Sequence, residues 1–228
     1  MLRPRRERAQ RRIMVSTDAR RNVFSNRRDA GQRLADVLAD AIDPPAVVLG
    51  IPRGGVIVAA STAARLGWPL GIVVTKKLGA PGNPELGIGA VAPGVRVLET
   101  DVIRALGIGE AWIDRESVRV EEEVTRRSAA FPLATSIDGR TAIVVDDGVA
   151  TGSTARAAGV WARHAGASRV VLAVPVAPRG VEARVADAFD EVIAIATPPG
   201  FRAVGQYYDD FEQVTDDEVR AVLGSAGA

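Results

Sequence analysis

Two adjacent carboxylates, Asp146 and Asp147, close a short apolar, β-branched run, Ala142 to Val145, and seven small or hydroxylated residues follow them: Gly148, Val149, Ala150, Thr151, Gly152, Ser153 and Thr154. The apolar run reads as a buried parallel strand, and Ala155 to His164 reads as a helix. A loop of this composition between strand and helix is an anion cradle. Its backbone N–H groups and those of the first helical turn point at one spot, where the helix dipole adds positive potential. Ser153 and Thr154 can donate hydroxyl hydrogen bonds to phosphate oxygens. The carboxylates just before the loop can accept from vicinal hydroxyls of a sugar. Together these groups describe a site for a phosphorylated sugar.

A weaker arrangement of the same kind lies upstream. The strand Ala46 to Ile51 runs into Pro52-Arg53-Gly54-Gly55, and a helix from Val56 to Leu66 follows, closed by Gly67. Gly54 and Gly55 allow the backbone to approach an anion closely, and Arg53 can hold it bidentately. Taken alone, such a turn is common.

The elements around these loops set where they lie. Residues 29–40 carry a helical stripe, Leu34, Val37, Leu38 and Ala41, with Asp29 as N-cap, and Pro44-Pro45 stops it. Leu70 to Thr75 is a buried strand ending at Lys76 and Lys77. Residues 78–87 are dense in Gly and Pro, irregular by composition, and with the lysines read as a mobile lid, 76–87. Glu85 is its one acidic side chain, a candidate to act on an incoming nucleophile. Ile88–Val91 and Val95–Leu98 form a strand pair, Thr100–Leu106 a short helix, and Glu110–Arg127 a long charged helix with Trp112, Ile113, Val120 and Val124 on its apolar side. Arg169–Val176 is a strand, Arg179–Ala188 a helix and Glu191–Ala196 the last strand. Thr215 opens a final helix. This order predicts an α/β fold in three layers, a mostly parallel twisted sheet with helices on both faces plus a small hood and lid. In such sheets ligands bind at the carboxyl ends of strands. All three loops, 52–55, 76–87 and 146–154, follow strand C-termini and are expected to converge.

The stretch Thr141–Thr154, an apolar strand, two acidic residues and a loop ending T-G-S-T, resembles the phosphoribosyl diphosphate (PRPP) motif of type I phosphoribosyltransferases. In its company Pro52–Gly55 looks like the pyrophosphate loop of that family, and the resemblance implies a strained, cis, non-proline peptide there. A basic pair followed by a flexible loop looks like the arrangement in orotate phosphoribosyltransferases, which implies that Lys76 or Lys77 contacts departing pyrophosphate. The implied reaction moves the 5-phosphoribosyl group of PRPP to a nucleophile, with Mg²⁺ bound mainly through PRPP oxygens and water. Asp146 and Asp147 would hold the ribose, Gly148 to Thr154 the 5′-phosphate, and Arg53, Gly54, Gly55 and Lys77 the pyrophosphate. Family members place a variable hood over the strand ends. Residues 197–228 fill that place, and Phe201, Tyr207 or Tyr208 can stack on a planar base. In hypoxanthine-guanine enzymes the position of Ala150 is an Asp that serves as base to the purine, so that base is absent here and the acceptor stays open. The family usually forms dimers, which implies a homodimer.

Composition bounds the alternatives. The 228 residues suffice for one sizeable domain. The net charge of +1 gives no global field for nucleic acid, and the absence of Cys removes disulfides and thiol catalysis. A single His, His164 in the last turn of the motif helix, excludes a His-rich metal site. No apolar run approaches the ~20 residues of a membrane span, and the N-terminus lacks the apolar core of a secretory signal, so a cytoplasmic protein is expected. Residues 1–28 carry ten Arg against Glu7 and Asp18, leaving 19 basic and 26 acidic residues in 29–228. The basic segment reads as a disordered tail preceding one domain, 29–228, or as an extension with Met14 the initiator. Its Arg3 to Arg28 run is also the support for a different function, a non-catalytic PRPP-sensing regulator with a nucleic-acid-binding arm. A hydrolase or phosphorylase using the same cradle and a purely structural α/β domain are the remaining alternatives.

Overall fold

A computed structural model describes residues 24–131 and 136–226 of the chain. In chain order these form α1 (Arg27–Ala41), β1 (Ala46–Gly50), α2 (Gly54–Leu66), β2 (Leu70–Ile72), β3 (Lys76–Ala80), β4 (Asn83–Ala92), β5 (Val95–Leu98), α3 (Thr100–Leu106), α4 (Glu110–Ala129), β6 (Thr141–Val145), α5 (Ser153–His164), β7 (Arg169–Val176), α6 (Val181–Arg184), β8 (Glu191–Ala196), a 3₁₀ turn (Val204–Tyr207) and α7 (Asp216–Ala226).

The main sheet runs β2-β1-β6-β7-β8, all parallel. Successive residues of its strands face opposite layers, so β-branched runs without polar alternation are buried on both sides. Val47, Leu49, Val144 and Leu172 meet α5 and the α6 region, while Val48, Ile143, Val145 and Val171 meet α1 and α2. This is the expected three-layer α/β fold. A three-stranded antiparallel sheet, β3-β4-β5, packs beside it against α4, α7 and the flank of α5.

Three expectations are corrected. Residues 76–87 are not an irregular loop: β3 and β4 form a hairpin with Lys76 opposite Val91 and Lys77 opposite Ala90. Its turn has Pro81 followed by Gly82 at φ +71°, residue types that favour a tight reversal. A Cβ on Gly79 would lie 2.5 Å from Pro84 Cα, so a glycine read as part of an irregular loop instead lets the strands approach. Ordered chain also reaches back into the expected tail. Phe24 is buried against Tyr208, and Asn26, not Asp29, caps α1 by accepting from the N–H groups of Arg28 and Asp29. Residues 1–23 lie outside the described residues. Finally, the helix expected over 179–188 is the single turn α6. Val181, Val185 and Phe189 reach the core from it and the turns that follow.

Among the described residues no helix is long and apolar enough to cross a membrane. The last helix begins as expected: Thr215 and Glu218 exchange hydrogen bonds, Glu218 accepting from Thr215 N–H at 2.7 Å and Thr215 Oγ1 accepting from Glu218 N–H at 3.2 Å.

Candidate active site

β1 and β6 are neighbours in the sheet, with Gly50 opposite Val145. Their C-terminal loops therefore emerge side by side. The contact between them is close enough to demand glycine: a Cβ on Gly54 would lie 1.9 Å from Asp147 Oδ2, and one on Gly55 would lie 2.8 Å from Asp146 Cα. The Pro52–Gly55 loop is thus pressed onto the acidic pair, with Arg53 exposed at its head and a cis peptide between Pro52 and Arg53. The two loops read from sequence as anion cradles therefore emerge at one end of the sheet.

The acidic pair is held from several sides. Asp146 Oδ1 accepts the Asp147 N–H at 2.9 Å. Burial pushes the Asp146 carboxyl well above the usual carboxylate range, and the charge of Asp147 adds to that. Asp147 is also raised by burial, with the Arg27 guanidinium opposing the rise. Arg27 Nε lies 2.7 Å from Asp147 Oδ2. Tyr208 donates its hydroxyl to the Asp147 carbonyl at 2.6 Å, and burial keeps that phenol protonated far into the alkaline range.

The downstream loop is more varied than its sequence suggests. Gly148 packs under Val204 of the C-terminal segment, where a Cβ would lie 2.5 Å from Val204 Cγ1. Val149 turns into the core, and its N–H is taken by the Val176 carbonyl at 3.0 Å, so it shapes the loop and offers an anion nothing. Ala150 and Thr151 are exposed. Gly152 takes φ +93°, a conformation that favours glycine, and α5 starts immediately after it. Thr154 lies half-buried in the first turn. The Ser153 hydroxyl, expected to await a phosphate, donates to Glu99 Oε1 at 2.8 Å. Glu99 follows β5 and accepts also from Arg156 at 3.0 Å, and Arg156 in turn pairs with Asp187 at 2.7 Å.

The hairpin lysines are placed otherwise than expected. The Lys76 ammonium pairs with Glu123 of α4, and that contact holds the Glu123 carboxyl below its ordinary range. Lys77 Nζ donates to the Glu85 carbonyl at 2.8 Å. In this arrangement the partners of both lysines, Glu123 and Glu85, lie within the β3–β4–α4 region, and neither lysine pairs with the acidic pair. Among the candidate stacking residues, Tyr208 is withdrawn, buried between Phe24 and Phe211 with ring centroids 5.3 and 5.0 Å away. Phe201 and Tyr207 stack on each other at 5.6 Å and are half-buried. Residues absent from the sequence reading are Arg27, hidden in an Arg-rich segment, and the Glu99–Arg156–Asp187 chain, whose members lie far apart in sequence. Among the described residues no group of three or more His, Asp or Glu side chains is arranged to hold a metal ion.

Residues 26–211 match the family model described as "Phosphoribosyl transferase domain". Two curated proteins of Mycobacterium tuberculosis strains, named "Putative phosphoribosyl transferase Rv0571c" and "Putative phosphoribosyl transferase MT0597", are each 47% identical over 208 residues, covering 90% of this chain and 47% of their own length. The chain thus spans about half the length of the curated relatives it matches. The crystal structure of TT1426 from Thermus thermophilus is 42% identical, with a TM-score of 0.73 over 88% of this chain and 97% of that one. The AQ2163 protein of Aquifex aeolicus, 13% identical with a TM-score of 0.50 over 82% of this chain and 86% of that one, shares the fold.

Proposed function

Because the chain belongs to the phosphoribosyl transferase domain family, we propose that it transfers the 5-phosphoribosyl group of Mg²⁺–PRPP to a nitrogenous base and releases pyrophosphate. The observation that supports this reading is the close contact of Gly54 and Gly55 with Asp147 and Asp146, which brings the loop read as the pyrophosphate cradle against the two carboxylates that open the loop read as the sugar-phosphate cradle.

Mg²⁺ carried in with the donor would supply charge neutralisation on the leaving group. The protein's own contribution is positional and electrostatic. The N-terminus of α2, with Arg53, receives the pyrophosphate. The loop 148–154 anchors the 5′-phosphate, and this remote binding energy fixes the anomeric carbon. Asp146 and Asp147 accept from the ribose hydroxyls and lie near the positive charge that develops as pyrophosphate departs. No covalent protein nucleophile is required. Ala150 supplies no carboxylate to the acceptor, so the base that takes the acceptor's proton comes from elsewhere or the acceptor is already a good nucleophile. For Lys77 to meet pyrophosphate its exposed contact with Glu85 must open, at little cost for a surface pair.

Isothermal titration with Mg²⁺–PRPP tests the cradle: micromolar binding is expected, and no binding overturns the reading. A screen of purines, pyrimidines and amines for pyrophosphate release then identifies the acceptor. One observation favours a second reading, a regulator that binds PRPP without turning it over: Lys76 and Lys77 are both engaged by other groups, Glu123 and Glu85. Tight PRPP binding with no pyrophosphate release for any acceptor would select it.

A further inference from the structure

The Arg27 guanidinium sits where three regions of the molecule meet. Its Nε contacts Asp147 Oδ2 at 2.7 Å, its Nη1 donates to the Glu212 carbonyl at 2.8 Å, and its plane lies over the Phe211 ring, 3.9 Å from the centroid. Both side chains of the ion pair are largely buried, 11% and 16% exposed. Gly54 closes the remaining side, since a Cβ there would lie 2.7 Å from Arg27 Nε. The helix that presents Arg27 is locked in turn: a Cβ on Gly31 would lie 2.4 Å from the Val58 carbonyl, and the buried Thr62 hydroxyl donates to the Gly31 carbonyl at 3.0 Å. α1 thus packs backbone-close on α2, one turn beyond Arg27.

On the phosphoribosyl-transfer reading above, we propose that Arg27 is a positioning residue that holds Asp147 as an acceptor for the ribose hydroxyls and ties that carboxylate to the C-terminal segment through Phe211 and Glu212. An ionised carboxylate accepts only, whereas a protonated one donates and loses part of its accepting capacity. Burial drives both members of the acidic pair toward the protonated form, and Arg27 is the leading opposing influence on Asp147. The charged or titratable groups around the pair are Asp146 beside it, Asp29 on α1, Tyr208 and Glu218 from the C-terminal elements, and Arg53 at the head of the Gly54 loop. Removing Arg27 therefore lets Asp147 rise further, and the acid limb of ribose binding moves to higher pH.

The test titrates the full chain with Mg²⁺–PRPP, ribose 5-phosphate and inorganic pyrophosphate from mildly acidic to mildly alkaline pH. Arg27→Gln is expected to weaken the two ribose-bearing ligands about tenfold or more near neutrality, the scale of a lost charged hydrogen bond. Its acid limb should shift upward, and pyrophosphate binding should not change. Arg27→Lys should restore part of the shift. Phe211→Ala, which loosens the guanidinium without unpairing the buried carboxylate, should shift the limb the same way by less. Equal weakening of pyrophosphate, tighter ribose binding, or an unmoved acid limb in Arg27→Gln overturns the proposal. Should that variant not fold, wild-type pH profiles in both Arg27→Lys and Phe211→Ala overturn it equally. A wild-type chain that does not bind PRPP removes the transferase reading and this inference together, whereas wild-type binding with unmoved variants removes this inference alone.

Discussion

The two strand–loop–helix cradles are built to the same plan and differ in what presses on them. The 52–55 loop is defined by absence: Gly54 and Gly55 leave no side chain, and the carboxylates of the other loop fill the vacated space to within van der Waals contact. The 148–154 loop is defined by partners: Val149 is anchored in the core, Gly152 holds φ +93°, and Ser153 is bonded to Glu99. One cradle has no room for change. The other has a carboxylate standing at the mouth of its helix. A glycine pressed against a charged group tolerates almost nothing, whereas a polar network can exchange one partner for another.

The largest effect should come from breaking the first cradle. Gly54→Ala puts a methyl 1.9 Å from Asp147 Oδ2 and near Arg27 Nε, both pinned by buried contacts, so the acidic pair must move. A displacement of about 1 Å at a reacting centre costs on the order of a hundredfold. Pyrophosphate release should fall by that order while far-ultraviolet circular dichroism is retained; near-normal turnover would mean that the packing of the two loops is not part of the site.

Next in size is the acidic pair itself. Asp146→Asn with Asp147→Asn should cut turnover by up to about a hundredfold, because positioning at the reacting carbon is lost, with 5′-phosphate affinity changed far less. Stability should respond in the opposite sense. A carboxyl whose folded pKa is raised stabilises the fold below the ordinary carboxylate range and loses that contribution as pH rises through the folded value. Asp146→Asn should therefore raise the melting temperature of the ligand-free protein at neutral pH and leave it nearly unchanged in acid. A variant less stable at neutral pH would show that the carboxylate is well compensated in the fold.

What was legible in the sequence follows the same division. The parallel strands were readable because their burial on both faces writes continuous β-branched runs, and β7 and β8 fall where they were expected. The acidic pair and the T-G-S-T loop were readable because a local segment supplies them. The hairpin was not, since Gly79, Pro81 and Gly82 carry equal weight for a loose loop and for a tight turn until a partner strand is known. Arg27 and Glu99 were not, because each acts on a loop 120 or 54 positions away, and periodicity carries no information about such a contact. Tyr208 reads as one of three residues able to stack on a base, yet Phe24, from the segment read as tail, covers it.

The second cradle offers two smaller tests. Gly152→Ala forces a side chain into a left-handed conformation, with its Cβ 2.8 Å from Val185 Cγ1. The backbone term alone is about 1–2 kcal/mol, so the melting temperature should fall and phosphate affinity with it, by less than the loss from Gly54→Ala.

The smallest effect distinguishes a partner from an obstacle. Glu99 accepts from Ser153 and Arg156 in the first two turns of α5, where a phosphate would also seek donors. Its charge suits the helix dipole but opposes an incoming dianion. Glu99→Gln keeps an oxygen acceptor for the Ser153 hydroxyl and removes the charge, while Arg156 retains Asp187. Charge effects at a helix N-terminus are about 0.3–1 kcal/mol, so inorganic phosphate and ribose 5-phosphate should bind roughly two- to fivefold more tightly, with the gain reduced at high salt. Binding that weakens instead would identify Glu99 as a brace that holds Ser153 in its working position, and the second cradle would then be as rigidly specified as the first.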